Sequence, residues 1–168
     1  MDAETYRQLV LRHKDRVNAY AAWMLGNRDD GVDIAQEALI RMWTHRGKVR
    51  PEASLSWLLK TTYRLCIDRT RRRKVRGEVG GEVLEPMPAE TPSPERMTFS
   101  GQIGALLEGA LSNLTPTDRA AVLLREVQGM TYDEIATTLD LPLGTVKAKL
   151  HRSRERLRQD LVGAGVTP

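Results

Sequence analysis

The side chains best suited to chemistry in this sequence are the cations near its C-terminus. Residues 147–158 hold six basic residues and a single acid, Glu155. Lysine and arginine donate charge-assisted hydrogen bonds to phosphate oxygens and to the O6 and N7 acceptors of guanine. The stretch therefore indicates binding to a nucleic acid, although a charge run of this kind is also typical of a solvated helix face.

The same stretch separates into two faces when it is placed on a helix of about 100° per residue. The side that would pack on the rest of the protein carries Val146, Leu150, Ser153 and Leu157. The opposite side carries Gly144, Lys147, Ala148, His151, Arg152 and Glu155. The small residues on that side would let the helix axis approach base edges, and the three donors could read them. The flanks carry Lys149, Arg154 and Arg156, which fit phosphate contacts that position the helix without specifying a sequence.

Two elements must position this basic helix, and the sequence predicts both. Thr131 and Glu134 have the spacing of a capping box and predict a short helix over residues 132–139. A turn over residues 140–142 follows, and the basic helix then covers about residues 143–161. A short helix, a tight turn and a longer basic helix are the pattern of a helix-turn-helix.

A second group of cations lies in the N-terminal half, interleaved with aromatic residues. Its members are Arg46, Lys48, Arg50, Lys60, Arg64, Arg69 and residues 71–74, with Trp57 and Tyr63 between them. Basic groups beside aromatic rings suit single-stranded or unstacked bases better than a closed duplex. A core position is the more common role of such aromatic residues, so both interpretations stay open on the residues alone.

Apolar periodicity predicts three helices in the N-terminal part of the chain. The first covers residues 3–25 and would bury a stripe that consists of Tyr6, Val10, His13, Val17, Tyr20 and Met24. The second begins with Asp30 as its N-cap and ends at Gly47. The third begins with Ser54 as its cap and ends in the arginine-rich residues 69–76. Three helices of this length are enough for a small bundle.

Composition divides the chain into three segments. Residues 1–76 carry 17 lysines and arginines against 9 acids, residues 77–100 carry one against five, and residues 101–168 carry eight of each. Residues 77–100 are rich in Gly, Pro and Glu and lack a periodic apolar pattern, which predicts a flexible acidic linker. No segment alternates with a period of two. We therefore predict an all-α protein in which this linker joins an N-terminal helical bundle to a C-terminal helix-turn-helix domain.

Composition also disfavours membrane proteins and enzymes. The 168 residues contain no apolar run of membrane-spanning length, and the first residues do not have the pattern of a signal peptide. Cys66 is the only cysteine and the three histidines are scattered, so no metal-ligand set, nucleophile–base pair or glycine-rich phosphate loop is apparent. We predict a cytoplasmic protein that is not an enzyme, needs no metal or cofactor, and has no further domain after Leu161.

Taken in order, these motifs resemble the extracytoplasmic-function (ECF) group of bacterial sigma factors, the specificity subunits of RNA polymerase. The second-helix motif reads DIAQEALIRMW over residues 33–43, and the third helix reads SWLL from Ser56 and IDR from Ile67. The C-terminal motifs read GMTYDEIA from Gly129 and LPLGTVKAKLHR over residues 141–152. Each motif is weak alone, and the resemblance depends on their order and spacing on both sides of the linker.

The resemblance implies that the N-terminal bundle is sigma region 2, which binds core polymerase and one promoter element. The family's second helix docks on the clamp helices of the largest polymerase subunit, and the matching residues are Asp33, Gln36, Glu37 and Trp43. The loop before the third helix, together with that helix, holds the non-template strand of the −10 element. The residues that match or suit this role are Lys48, Arg50, Lys60, Arg64 and Arg69.

The resemblance implies that the C-terminal domain is sigma region 4, which binds the −35 element as duplex DNA. The base-reading positions of the family match Lys147, Ala148, His151 and Arg152. A helix over residues 116–128 would meet the polymerase flap. Many members of the family are also held inactive by an anti-sigma factor, which is therefore a further expected partner. A fold-back of the acidic linker onto the basic helices is a second route to inhibition.

Three other interpretations of the residues compete with this one. A conventional helix-turn-helix regulator would bind duplex DNA without polymerase, usually as a symmetric dimer. Such a regulator would not need the N-terminal cations or the face that carries Asp33, Gln36 and Glu37. A protein that only sequesters polymerase would not need the base-reading face of the C-terminal helix. An enzyme would need a constellation of reactive residues that this sequence does not show.

Overall fold

The computed structural model describes residues 1–77 and 101–166, and every regular element in these two stretches is helical. The N-terminal bundle contains α1 (Ala3–Leu25), α2 (Arg28–Thr44), a 3-10 turn (Pro51–Ala53) and α3 (Ser54–Val75). The C-terminal bundle contains α4 (Gln102–Ser112), α5 (Pro116–Val122) with a π-helical continuation (Leu123–Val127), α6 (Tyr132–Leu139) and α7 (Leu143–Gly163). The all-α prediction is confirmed for these residues. The predicted linker, from residue 78 onwards, lies outside the described residues.

Helix α1 forms as its apolar stripe predicts. The Asp2 carboxylate caps its first turn by accepting a hydrogen bond from the Thr5 N–H at 2.8 Å, and Gly26 ends it in the left-handed conformation. The C-terminal part of the stripe, from His13 to Met24, is buried, and Val17 and Tyr20 are almost completely enclosed. This stripe packs against α2 and α3 and forms the core of the N-terminal bundle.

Helices α2 and α3 begin differently from the prediction. The N-cap of α2 is Asn27, whose side chain accepts a hydrogen bond from the Asp30 N–H at 3.0 Å, and the helix ends at Thr44 rather than Gly47. The predicted cap Asp30 lies inside the first turn, where its carboxylate pairs with arginines of α3. Ser54 is the first residue of α3 and donates to the Pro51 carbonyl at 2.7 Å, because the 3-10 turn already starts the helical path.

Helix α2 packs closely against α1 at Gly31, which is buried. A Cβ atom at this position would lie 2.6 Å from the Ala22 backbone nitrogen and 2.7 Å from the Ala22 Cα. Both are backbone atoms, so the contact can be relieved only if the two helices move apart. Glycine is therefore required here by the packing of one helix backbone on another.

We expect Gly31→Ala to lower the free energy of unfolding by about 1–3 kcal/mol, because overpacking outweighs the helix propensity that alanine gains. Chemical denaturation followed by circular dichroism measures the change. The control is Gly109→Ala in α4, where a Cβ atom would meet nothing within 4 Å. That substitution should leave stability unchanged or raise it by up to about 1 kcal/mol. Equal effects at both positions would contradict the packing role of Gly31.

The C-terminal bundle is built around the predicted helix over residues 116–128, which begins as α5. Thr115 caps α5 by accepting a hydrogen bond from the Asp118 N–H at 3.2 Å, and Pro116 occupies the first helical position. The predicted helix does not continue to Gln128 as one uniform α-helix. Its backbone becomes π-helical at Leu123. Leu124 in this segment is fully buried in the core that α6 and α7 complete.

The two bundles contact each other, with α1 against α5 and α3 against α6. Arg119 of α5 is central to the first contact. Its guanidinium donates to the Leu111 and Leu114 carbonyls at 2.9 and 3.1 Å, and to the Met24 carbonyl at the end of α1 at 2.6 Å. Among the described residues, no helix has the length and hydropathy needed to cross a membrane.

Candidate nucleic-acid interface

The predicted helix-turn-helix consists of α6, a short turn and α7. Its capping box is confirmed, since Thr131 Oγ1 accepts from the Glu134 N–H at 3.2 Å and the Glu134 carboxylate accepts from the Thr131 N–H at 2.9 Å. Asp140 ends α6 in the left-handed region with a φ of 55°. The Leu141 N–H then returns to the Ala136 carbonyl at 3.0 Å. These local bonds fix the angle at which α7 leaves the turn.

Helix α7 presents the two faces that its sequence predicts. The side chains against the bundle core are Val146, Leu150, Ser153 and Leu157, and all four are buried. The exposed side carries Gly144, Lys147, Ala148, His151 and Arg152. Within the described residues, Lys147 and Arg152 form no ion pair, so both cations are available to a ligand. The structure thus brings the four predicted base-reading residues together on one exposed surface.

The predicted phosphate-binding residues on the flanks of α7 are paired with carboxylates instead. Lys149 Nζ lies 3.0 Å from an Asp118 carboxylate oxygen, and both side chains are only about one-fifth exposed. The Arg154 guanidinium donates twice to Glu126, at 2.5 and 2.8 Å, which raises the pKa of the arginine. Arg156 is exposed and reaches a carboxylate one turn further along α7 at 3.7 Å. A DNA phosphate would have to replace these carboxylates.

The loop before α3 carries two exposed cations of the N-terminal group. Lys48 and Arg50 lie on either side of Val49, which is buried and anchors the loop to the core. Trp57 and Tyr63, which follow on α3, are both half-buried and pack against the core cluster. Each ring therefore has an apolar anchor and an accessible edge, so neither of the two sequence interpretations describes it completely.

Lys60 and Arg64 stand one turn apart on α3 and share a single acceptor. Lys60 Nζ lies 3.1 Å from one oxygen of the Asp140 carboxylate, and Arg64 Nη2 lies 3.0 Å from the other. These two hydrogen bonds lower the pKa of Asp140, with Arg64 the larger cause. Asp140 belongs to the turn of the helix-turn-helix, so the pairing crosses from one bundle to the other. Sequence analysis missed it because the partners are far apart in the chain.

An arginine-rich groove of about 340 Å³ lies between α2 and the end of α3. Arg69 Nη1 lies 3.2 Å from the Asp30 carboxylate, and Arg73 binds the other oxygen of the same group. Further cations and acids line the groove, namely Arg41, Arg72, Arg76, Glu37 and Asp68. The run of basic residues was visible in the sequence, but its attachment to α2 through Asp30 was not. Arg69, a predicted −10 residue, is therefore turned towards α2.

Three of the four predicted docking residues of α2 share one exposed face. Asp33, Gln36 and Glu37 have the spacing of neighbouring turns, and all three are exposed. Glu37 pairs with Arg41 at 2.7 Å, and both side chains remain about half exposed. Surface pairs of this kind contribute little to stability, so the face is free to serve a partner.

An exposed apolar groove of about 370 Å³ adjoins this face and was missed by sequence analysis. Leu11 of α1 is 54% exposed and Ile40 of α2 is 64% exposed, and Gln36 lines the groove with them. Exposed large apolar side chains beside a polar face are typical of protein–protein contacts. The signal available in the sequence was that Leu11 and Ile40 fall outside the buried stripes of their helices.

Trp43, the fourth predicted docking residue, lies beside this groove, in contact with Tyr6 of its lining. It is 37% exposed, with the Tyr6 ring 4.9 Å away in an edge contact and the Arg46 guanidinium 4.1 Å above its ring. The tryptophan is thus held by an aromatic and a cationic neighbour while one edge faces solvent.

In residues 1–77 and 101–166, no three His, Cys, Asp or Glu side chains are placed to hold a metal ion. Cys66 is buried, and burial raises the pKa of its thiol to about 12, so its reactive thiolate is scarce at neutral pH. What the structure assembles instead is a set of exposed cations on two helical bundles.

A helix-turn-helix with an exposed basic face, in contact with a second basic bundle, is typical of a DNA-binding protein. Residues 9–76 match the family model of sigma-70 region 2, and residues 105–157 match that of sigma-70 region 4. The ECF RNA polymerase sigma factor SigE of Mycolicibacterium smegmatis is 39% identical over 94% of this chain, which spans 62% of that relative. SigW of Bacillus subtilis, also an ECF sigma factor, is 30% identical over 95% of this chain and 90% of its own length.

Two solved structures share the fold of this chain. The sigma factor RpoE from Bartonella quintana, in complex with the anti-sigma factor NepR, superposes with a TM-score of 0.78 at 21% identity, over 93% of this chain and 96% of its own. CnrH in complex with the cytosolic domain of CnrY gives a TM-score of 0.68 at 23% identity, over 98% and 92%. The chain belongs to the ECF sigma factors of the sigma-70 family, the class of protein that confers promoter-specific initiation on RNA polymerase.

Proposed function

We propose that this chain binds core RNA polymerase and directs initiation at promoters through the −10 and −35 elements. The observation that carries the proposal is the exposed face of α7, where unpaired donors and small residues stand together on a capped helix-turn-helix. The N-terminal bundle supplies a second set of cations and a separate protein-docking face. A sigma factor needs all three surfaces.

The −35 element would be read by α7 in the major groove. Lys147 and Arg152 can donate to guanine O6 and N7, and His151 can donate to an acceptor on a base edge. Ala148 and Gly144 keep that side of the helix small, which allows the axis to come close to the bases. Contacts by Lys149, Arg154 and Arg156 to phosphates remain a prediction, because each would exchange a carboxylate for a phosphate.

The −10 element would be held as a single strand on the N-terminal bundle. Lys48 and Arg50 are exposed in the loop before α3, and the half-buried Trp57 on α3 offers an aromatic ring on which an unpaired base would stack. Lys60, Arg64 and Arg69 would bind the phosphates of that strand once their carboxylate partners are displaced. The proposal divides the chain as the composition does, into residues 1–76, a linker over 77–100, and residues 101–168.

Core polymerase would dock on α2. The Asp33, Gln36 and Glu37 face offers charge and hydrogen bonds to the clamp helices, while the adjacent apolar groove offers area that a partner can bury. The α5 helix with its π-helical continuation would meet the flap. The sigma factor RpoE forms a complex with the anti-sigma factor NepR, and we propose an anti-sigma factor as a further partner of this chain.

The proposed role needs no catalytic group or cofactor in the chain itself. Sigma factors are non-enzymatic initiation factors, and we propose the same for this chain. A cytoplasmic location follows from the proposed partner, because bacterial polymerase and promoter DNA are found there.

The test is in vitro transcription with bacterial core polymerase and a library of promoter-like DNA, followed by sequencing of the transcripts. We expect initiation that depends on the chain and shares one −35 and −10 pair. Core polymerase alone is the control. Absence of chain-dependent transcripts, together with tight duplex binding without polymerase, would establish a conventional helix-turn-helix regulator instead.

A further inference from the structure

Two ion pairs attach the flanks of α7 to α5 and its π-helical continuation. On one flank, Lys149 Nζ lies 3.0 Å from an Asp118 carboxylate oxygen. On the other flank, the Arg154 guanidinium donates two hydrogen bonds, at 2.8 and 2.5 Å, to one oxygen of Glu126. Lys149 and Arg154 are five residues apart and therefore project about 140° from each other, with the buried stripe of α7 between them. The helix is thus held on both sides of that stripe.

The contact between Arg154 and Glu126 belongs to a larger network. Arg154 Nη1 also donates to the Tyr132 hydroxyl at 3.4 Å, and the Arg125 guanidinium lies 4.8 Å from the centre of the Tyr132 ring. Arg125 in turn donates to the Met130 carbonyl at 2.8 Å. The network joins the π-helical segment, α6 and α7. Ion pairs that form several hydrogen bonds within a network keep a defined geometry better than isolated surface pairs do.

The π-helical segment sets the direction from which Glu126 reaches α7. The Gln128 N–H bonds to the Leu123 carbonyl, five residues back, at 3.1 Å. A π-helical turn contains more residues than an α-helical turn, so side chains within it are rotated from their α-helical positions. Glu126 lies in this segment and meets Arg154 from there. The departure from a uniform helix is therefore linked to the attachment of α7.

The rotation of α7 about its own axis decides which side chains reach the bases. An α-helix with its side chains has a radius of about 5–6 Å, so a rotation of about 30° moves a side-chain tip by about 3 Å. A displacement of this size breaks a hydrogen bond to a base edge. The buried stripe includes Ser153, whose hydroxyl has no hydrogen-bond partner among the described residues, so apolar packing is interrupted there. Contacts on both flanks add a restraint on rotation.

We propose that Lys149 and Arg154 are positioning residues for −35 recognition, which keep their carboxylate partners when DNA is bound and fix the rotation of α7. The proposal rests on the proposed function, because it concerns the reading of the same element. A phosphate bound to either cation would lie beside Asp118 or Glu126, and the Asp118 side chain is only 23% exposed, so its carboxylate would be left poorly solvated and unpaired. Arg156 differs, because it is 57% exposed and lies 3.7 Å from its carboxylate. Arg156 is therefore the flank cation suited to a phosphate.

The experiment removes one carboxylate and measures the −35 preference of the full-length chain in transcription with core polymerase. The preference is the ratio of initiation at the preferred −35 element to initiation at an element with one changed base pair. We expect Glu126→Gln to lower this ratio by about three- to tenfold, because one misplaced base contact loses part of its discrimination. Asp118→Asn should act in the same direction. If these carboxylates only compete with phosphates, their removal should instead increase initiation and leave the ratio unchanged.

The matched control is Asp133→Asn, which changes the net charge equally at an exposed position of α6. It should leave the ratio within about twofold of the wild-type value, since net charge affects all sequences alike. Circular dichroism checks that every variant is folded. An unchanged or raised ratio for Glu126→Gln, or an equal loss for Asp133→Asn, would overturn the proposal.

Reversal of the ion pair provides a second, independent test. Arg154→Glu and Glu126→Arg should each lower the ratio by about tenfold, and the two together should restore it to within about threefold of wild type, because the pair re-forms with its charges exchanged. A phosphate contact by Arg154 predicts no recovery, and that result would overturn the positioning role. If the wild-type chain yields no transcripts, the sigma role fails separately. Competition binding to the same duplex elements then supplies the ratio, with the same deciding outcomes.

Discussion

Reversal of two charges on α2, with Asp33→Lys and Glu37→Lys together, is expected to weaken binding to core polymerase by at least about 100-fold. The two acids lie on one exposed face, and a partner that complements them would meet like charge after the reversal. Like-charge juxtaposition at an interface costs several kcal/mol, and a 100-fold change corresponds to about 2.7 kcal/mol. The measurement is a titration of labelled chain with core polymerase, followed by transcript yield.

The fold should survive this double substitution. Asp33 is exposed, and the Glu37–Arg41 pair is a surface contact whose loss costs about 0.5 kcal/mol or less. The matched control is Asp15→Lys, an equal reversal at an exposed position inside α1, compared with Asp33→Lys alone. If Asp15→Lys weakens polymerase binding as much as Asp33→Lys, the effect comes from net charge and the α2 face is not the docking site.

Arg152→Ala is expected to reduce initiation by about tenfold or more at promoters that carry the preferred −35 element. One bidentate contact from arginine to guanine contributes about 1–3 kcal/mol of discrimination, and tenfold corresponds to about 1.4 kcal/mol. Arg152 is exposed on the base-reading face and has no ion pair within the described residues. Library transcription with the variant should show relaxed preference at one position of the −35 element, with the other positions retained.

Arg158→Ala separates base reading from general electrostatics. Arg158 lies near the end of the same helix, is 60% exposed and pairs with Glu155, so its removal also deletes one positive charge. We expect Arg158→Ala to cause a small, uniform loss of initiation at all promoters. For neither variant should the salt dependence of initiation change by more than the contribution of one phosphate contact. An equal, sequence-independent loss for both variants would contradict the assignment of Arg152 to a base.

Local features of this protein followed from its sequence because their causes are short-range. The apolar stripe of α1, the Thr115 and Thr131 caps and the two faces of α7 each depend on residues within a few turns of one another. The motifs that carry the resemblance to ECF sigma factors are of the same kind. They combine local patterns with an order along the chain, which needs no knowledge of tertiary contacts.

The tertiary structure decided which cations are available and which are already neutralised. Lys60 and Arg64 meet Asp140 from the other bundle, and Arg69 meets Asp30 across α2 and α3, although no spacing rule connects these residues. The same limit explains the misassigned cap, because Asn27 can take that role while Asp30 is held by distant arginines. A sequence specifies where charges lie along a helix, but which charges form ion pairs depends on how the helices pack against one another.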